Sequence, residues 1–242
     1  MTCSTCCGSA ARSGRLVLID DLRAAARDEW TAFTRHPFVL ALADGTLAPA
    51  AFRTYLVQDY RFLVHFARAH ALAVLKADTL ADMRAAARGI SAILDQEMDL
   101  HVRYCSGWGI SPDELEATPE HPANVAYTRF VLDAGIAGDA LDLAVALAPC
   151  TVGYGDIGRA LAADPATVRG AANPYDDWIA TYSGETYLGG VDEATRQLDR
   201  LFERRGGPAR LPSLVTLFRR ATALESAFWQ IGLDQASSST SS

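Results

Sequence analysis

Residues 47–77, LAPAAFRTYLVQDYRFLVHFARAHALAVLKA, contain no glycine, and no proline after Pro49. Their apolar residues recur at a helical period, so the stretch predicts one uninterrupted helix long enough to run through a core. The flanking segments have the same character. LIDDLRAAARDEWTAFTRH (18–36) sets Leu18, Leu22, Ala25, Trp30 and Phe33 roughly on one face and is read as one helix ending before Pro37. A short helix FVLALADGT stops at Asp44-Gly45, and another is expected from Thr79 to about Gly107. Ser111 and Pro112 form an N-cap and first-position pair.

Beyond the polar segment ATPEHPAN the pattern continues through VAYTRFVLDAG, ALDLAVALAPCTVGYGDIGRALAA, NPYDDWIATYS, GETYLGGVDEATRQLDRLFERRG and LPSLVTLFRRATALESAFWQIGL. No internal repeat, heptad run or convincing strand alternation interrupts it. The expectation is an all-α, single-domain helical bundle of about eight to ten helices. Its catalytic domain is placed at 15–235, between a disordered leader (1–14) and a disordered tail (236–242).

With 50% apolar and 21% charged residues, the chain can bury one sizeable core. Its formal net charge of −7 and lack of a Lys/Arg run argue against nucleic acid and favour a small-molecule partner. No uninterrupted apolar stretch has the length a membrane span needs, and MTCSTCCGSAARSG has no apolar signal region. A cytoplasmic protein is expected. Cys3, Cys6 and Cys7 have no second Cys-x-x-Cys or His pair to complete a metal site, so they read as an oxidation-prone tail.

Three polar groups sit where an apolar stripe belongs. Asp59 has Tyr55, Leu56, Phe62 and Leu63 as helical neighbours, with no cation among them. Glu225 has Ala221, Thr222, Phe228 and Trp229. A carboxyl group in such surroundings must be hydrogen-bonded, and apolar burial raises its pKa towards neutrality, as acid–base work requires. Cys150 shares a face with Tyr154 and follows Pro149, whose ring and missing N–H cost about 3 kcal/mol inside a helix. That proline predicts a local bend re-aiming the thiol, and the nearby glycines predict room beside it. Glu97 and His101, one turn apart, are read as a structural hydrogen bond rather than an iron site, because no other ligand pair of that kind is visible.

From about Trp30 to Leu233 the chain resembles the TenA family, also called thiaminase II or aminopyrimidine aminohydrolase. Four segments carry the resemblance in order: HPFVLALADGTLAPAAFRTYLVQDYRFLVHFARAHALA, ALAPCTVGYGDIG, WIATYSG and ESAFWQIGL. It implies the haem-oxygenase-like fold, a homotetramer and a cofactor-free hydrolase acting on an aminopyrimidine or thiamin. In residues, it implies Cys150 as nucleophile, Glu225 as proton donor, Asp59 as the carboxylate gripping the aminopyrimidine, and Tyr154, Tyr182 and Tyr127 as substrate contacts. No metal is implied. Phe62 departs from the pattern, since many relatives have there a tyrosine whose hydroxyl sharpens the cysteine. The rival readings are a haem-oxygenase-like oxidase using a metal or organic cofactor, and a non-catalytic pyrimidine-binding or regulatory protein.

Overall fold

A computed structural model describes residues 17–239, and among them every regular element is helical. In chain order these are α1 (Leu18–Ala25), α2 (Arg27–Thr34), α3 (Pro37–Ala43), α4 (Pro49–Lys76), α5 (Leu80–Ala92), α6 (Met98–Gly107), α7 (Pro112–Ala117), α8 (Pro122–Ala137), α9 (Ala140–Ala163), α10 (Asp176–Ser183), α11 (Glu185–Arg205) and α12 (Leu211–Ser239). The leader expected at 1–14, with Cys3, Cys6 and Cys7, lies outside the described residues. The last helix runs to Ser239, past the domain end expected at 235, and 240–242 are not described.

Four long helices, α4, α8, α9 and α12, pack against one another as the centre. Helices α5 and α6 pack on α4, and α10 and α11 on α9, while α2 and α3 lie against α12. The main core runs through Phe33, Phe38, Phe52, Tyr55, Phe62, Tyr127, Tyr154, Trp178 and Trp229. A second cluster of Leu18, Leu22, Leu141, Val145, Leu198, Leu201, Leu214 and Phe218 closes the other end.

The two clusters explain why the first expected helix is two. At Ala26 the backbone leaves the helical region (φ −111°, ψ 33°) without a glycine or proline to force it. Leu18, Ile19, Leu22 and Ala26 then face the second cluster, whereas Phe33 faces the main one. A straight helix presents a single stripe, so the break lets one segment serve two cores. The Ser111 cap is present as expected, with a reciprocal bond to Glu114.

Helix α9 has the length and composition of a membrane span, but 67% of its apolar window is buried inside the protein, as befits a core helix. It is continuous through Pro149, so the proline leaves the Val145 carbonyl without its usual helical donor and does not end the helix. Glycines on α9 set its packing distance. A Cβ at Gly153 would stand 2.1 Å from a ring carbon of Phe33, and one at Gly158 would stand 2.4 Å from the main-chain oxygen of Tyr182. These glycines admit neighbouring helices, a correction to the expectation that small residues leave room beside the thiol.

The expected element from Thr79 to Gly107 contains a widened turn. Between α5 and α6, residues Ile93–Glu97 form a π-type turn in which the Met98 amide donates to the Ile93 carbonyl, five residues back. Such turns insert an extra residue into the helical pitch and are common at functional sites.

Candidate active site

Asp59 is carried on the inner face of α4 and is 4% exposed. Its partner comes from α6, across the bundle: His101 Nε2 lies 2.6 Å from Asp59 Oδ2, with the imidazole fully buried. This is the hydrogen-bond partner that a carboxylate on an apolar stripe requires. The other ring nitrogen, Nδ1, lies 2.8 Å from the main-chain oxygen of Glu97. A carbonyl oxygen only accepts, so Nδ1 carries a hydrogen; facing a carboxylate, Nε2 carries one too, and the ring is then the imidazolium. Burial works against the charged imidazole, but Asp59 and the Glu97 carbonyl more than offset it, and the His101 pKa is raised.

Glu97 was seen in the sequence only as a local partner of His101, and the contact uses its backbone rather than its carboxylate. The carboxylate stands deep in the bundle and keeps part of its surface accessible. Burial first, and the charge of Asp59 second, push its pKa up to about 7, with His101 opposing.

Glu225 projects from α12 and is 2% exposed. The hydroxyl of Tyr127, from α8, donates to its Oε1 at 2.7 Å. Burial pushes the Glu225 pKa up to about 8, the Tyr127 bond pulls it down, and Asp59 adds a smaller upward push. The result is a carboxyl group that holds its proton at neutral pH, the condition for a general acid. Phe62 lies nearly parallel to the Tyr127 ring at 5.1 Å, between Phe66 and Phe228.

Cys150, from α9, also sits deep yet retains accessible surface, as does Tyr187 from α11. Cys150, Glu97 and Tyr187 each keep some accessible surface, and the charge of Glu97 acts on both of the others. Burial pushes the Cys150 thiol well above its ordinary value, and the charges of Glu225, Glu97 and Asp59 push it further. The resting sulfur is therefore a protonated thiol.

An aromatic wall completes the enclosure. Tyr154 and Tyr182 lie 5.0 Å apart by ring centroids, and Tyr182 meets Trp178 at 4.4 Å and Tyr187 at 4.8 Å. Tyr55 receives the Trp178 indole N–H at 3.3 Å and interacts with Asp59 and Tyr154. Trp229, one turn beyond Glu225, packs on Tyr55 and Tyr154, and its buried indole N–H has no partner among the described residues. The cluster thus joins all seven residues singled out from the sequence: Asp59, Phe62, Tyr127, Cys150, Tyr154, Tyr182 and Glu225. Sequence reasoning missed His101, Glu97, Tyr55 and Tyr187 as parts of the site. The Glu97/His101 spacing was a signal for two of them, but its real partner lies in another helix.

Chemically, the site offers one sulfur nucleophile, a protonated carboxyl, an Asp–His pair and flat aromatic walls. Flat walls suit a planar heteroaromatic ring, and carboxylates suit its amino groups. Two open clefts lie elsewhere, one of about 380 Å³ lined by Arg53, Gln58 and Glu114, the other of about 580 Å³ lined by Arg103, Tyr104 and Asp177.

Comparison with known proteins identifies the family and the fold. An aminopyrimidine aminohydrolase from Halalkalibacterium halodurans is 34% identical over 209 residues, covering 85% of this chain and 91% of that protein. The crystal structure of a TenA family transcription regulator from Silicibacter sp. superposes with a TM-score of 0.82 at 46% identity, covering 89% of this chain and 96% of that one. A Shewanella denitrificans domain described as having a heme oxygenase-like fold matches with a TM-score of 0.70 at 14% identity, covering 90% and 93% of the two chains, and shows the fold alone. The profile of the TENA/THI-4/PQQC family matches residues 23–235. By this match and by its relatives, the chain belongs to the TENA/THI-4/PQQC family.

Proposed function

We propose that this protein is a cofactor-free aminopyrimidine aminohydrolase of thiamin salvage. It converts 4-amino-5-aminomethyl-2-methylpyrimidine and water to the hydroxymethylpyrimidine and ammonia, with thiamin cleavage as a second activity. The observation that carries the reading is the convergence of Cys150, Glu225 and Asp59 on one enclosed, aromatic-walled site. An amino group on an aromatic ring's methylene is a poor leaving group until the ring's aromaticity is broken. Addition of the Cys150 sulfur to a ring carbon does this, and the thiol proton goes to the ring nitrogen that receives the electron pair.

Those electrons then expel the amine as ammonia: an amine in its neutral form takes the proton it needs from Glu225, and one bound as the ammonium already carries it. Water adds to the exposed methylene and gives up a proton, to the Glu225 carboxylate if Glu225 has donated its own and otherwise to the ammonia; the sulfur then departs with its bonding electrons and takes back the ring-nitrogen proton as the ring regains aromaticity. Asp59 accepts hydrogen bonds from the exocyclic amine and the protonated ring nitrogen. Tyr127 steers Glu225, while Tyr154 and Tyr182 hold the ring plane. A cytoplasmic homotetramer is the proposed working form.

A second reading, a pyrimidine-binding regulator, is favoured by the description of the Silicibacter relative as a transcription regulator. A net charge of −7 makes direct DNA contact unfavourable. Turnover decides between them: purified protein should release ammonia and hydroxymethylpyrimidine from the aminomethyl compound, and more slowly from thiamin. Tight pyrimidine binding with no product from either substrate would replace the enzyme reading with the regulatory one.

A further inference from the structure

Glu97 has no role in the reaction as written, yet its placement is costly. Its side chain keeps part of its surface accessible, and its charge acts on Cys150 and Tyr187. Among the described residues no hydrogen bond or ion pair involves that carboxylate, the only Glu97 bond from a side chain being the one from His101 to the main-chain oxygen. A deep, ionisable group without a protein partner is unfavourable unless something else meets it. The π-type turn presents it: the extra residue in Ile93–Glu97 sets the angular position at which Glu97 enters the site.

The surroundings narrow what it meets. Asp59 already has His101 on one oxygen, and Glu225 already has Tyr127. Glu97 is the one of the three carboxylates with both oxygens free. Its charge acts on Cys150, Tyr182 and Tyr187, so it belongs to the electrostatic surroundings of the reacting sulfur and of the aromatic wall. Its side-chain pKa of about 7 means that a nearby positive charge readily converts it to the anion. Substituents on the reacting methylene supply such a charge: an ammonium in the aminomethyl compound, a thiazolium in thiamin.

We propose that Glu97 is a specificity-determining residue whose free carboxylate pairs with the positive charge of the departing group, so that the site selects pyrimidines bearing a cationic substituent over neutral ones. The inference rests on the aminohydrolase reading and names the substrate class of that same site. The ammonium loses its charge as it leaves as ammonia, so the pairing strengthens binding and orients the C–N bond rather than lowering the chemical barrier.

The test uses Glu97→Gln, which keeps the shape and removes the charge, in the full chain carrying Cys150→Ser to prevent turnover. Dissociation constants are measured by calorimetry at pH 7 for the cationic aminomethylpyrimidine, the neutral hydroxymethylpyrimidine and the neutral N-formylaminomethyl analogue. The expected result is a tenfold or greater loss for the cationic compound and less than threefold for both neutral ones. Equal losses for all three, or none for the cation, overturn the assignment of Glu97 alone. Failure of the protein with Glu97 intact to bind any of the pyrimidines overturns the aminohydrolase reading and this one together. A second variant, Glu97→Ala, reports on folding: loss of selectivity in both variants, at unchanged melting temperature in at least one, supports the pairing, and selectivity retained in both removes it.

Discussion

His101 donates its Nε2–H to Asp59 Oδ2 across 2.6 Å, in a place where the imidazole has no contact with solvent. With Nδ1–H donated to the Glu97 carbonyl as well, both ring nitrogens carry hydrogens and the imidazolium is held in one orientation between its two acceptors. One oxygen of Asp59 is thereby occupied, and Tyr55 interacts with the same carboxylate. His101→Gln should weaken aminopyrimidine binding by roughly ten- to a hundredfold, the span of a charge-assisted bond worth about 1.5 to 3 kcal/mol. Competition binding with the hydroxymethyl compound measures it. Unchanged affinity would mean that Asp59 does not need the imidazole to hold its geometry.

Cys150→Ser should abolish turnover and leave the melting temperature within a few degrees of the parent. The hydroxyl is close in size to the thiol but is a far poorer nucleophile. Since burial and three carboxylates already raise the thiol's pKa, no pre-formed thiolate should be found by ultraviolet titration at pH 7. Residual turnover above about a hundredth of the parent rate would rule out the covalent route.

Glu225 ties stability to pH. Its folded pKa of about 8 lies above the ordinary 4.5, so the native state holds a proton that the unfolded chain releases. Its contribution is fully present below about pH 4.5 and is lost as pH rises through about 8. Glu225→Gln should therefore match the parent's unfolding free energy near pH 4 and exceed it at pH 9, by an amount on the order of a few kcal/mol, seen as a higher melting temperature. The gain is reduced by the bond from Tyr127, which an amide oxygen also accepts. Parallel melting curves across that range would show that the carboxyl group is not held protonated.

Phe62 is stacked on Tyr127 and enclosed by Phe66 and Phe228, which favours an accommodated packing change over a missing catalytic hydroxyl. Phe62→Tyr should lower stability by about 1 to 3 kcal/mol, the cost of burying a hydroxyl without a partner, and leave kcat no higher than the parent's. A several-fold rise in kcat at unchanged melting temperature would restore the hydroxyl to the thiol-activating role suggested by the family resemblance.

Gly158→Ala is expected to disturb the site from a distance. The new Cβ would meet the main-chain oxygen of Tyr182 at 2.4 Å, and a backbone atom gives way less easily than a side chain. Overpacking of this kind costs about 1 to 3 kcal/mol, and the shift of α10 should raise KM through Tyr182. Thermal melts and steady-state kinetics on the one variant check both parts.

The helical architecture was legible because long apolar periods without breakers admit few alternatives, as residues 47–77 and α4 illustrate. The lone carboxylates Asp59 and Glu225 were legible for the same reason: each interrupts a stripe, and interruption is visible along one helix. Their partners were not. His101 and Tyr127 lie on other helices, and spacing within a helix carries no information about which face of a neighbour it will meet. The break at Ala26 was hidden too, because it answers to two separate cores rather than to any local residue.

The widened turn at Ile93–Glu97 behaves like a frameshift written in angle. Each residue of a regular helix advances the side-chain direction by about 100°, so one surplus residue re-phases everything after it relative to everything before. Upstream, α5 is phased to lie along α4; downstream, α6 is phased to deliver His101 to Asp59. A helix of uniform pitch would satisfy one phase and miss the other. Deleting Leu94 would therefore leave the net charge and every active-site side chain in the chain, and still silence the site by turning His101 away from the carboxylate it serves.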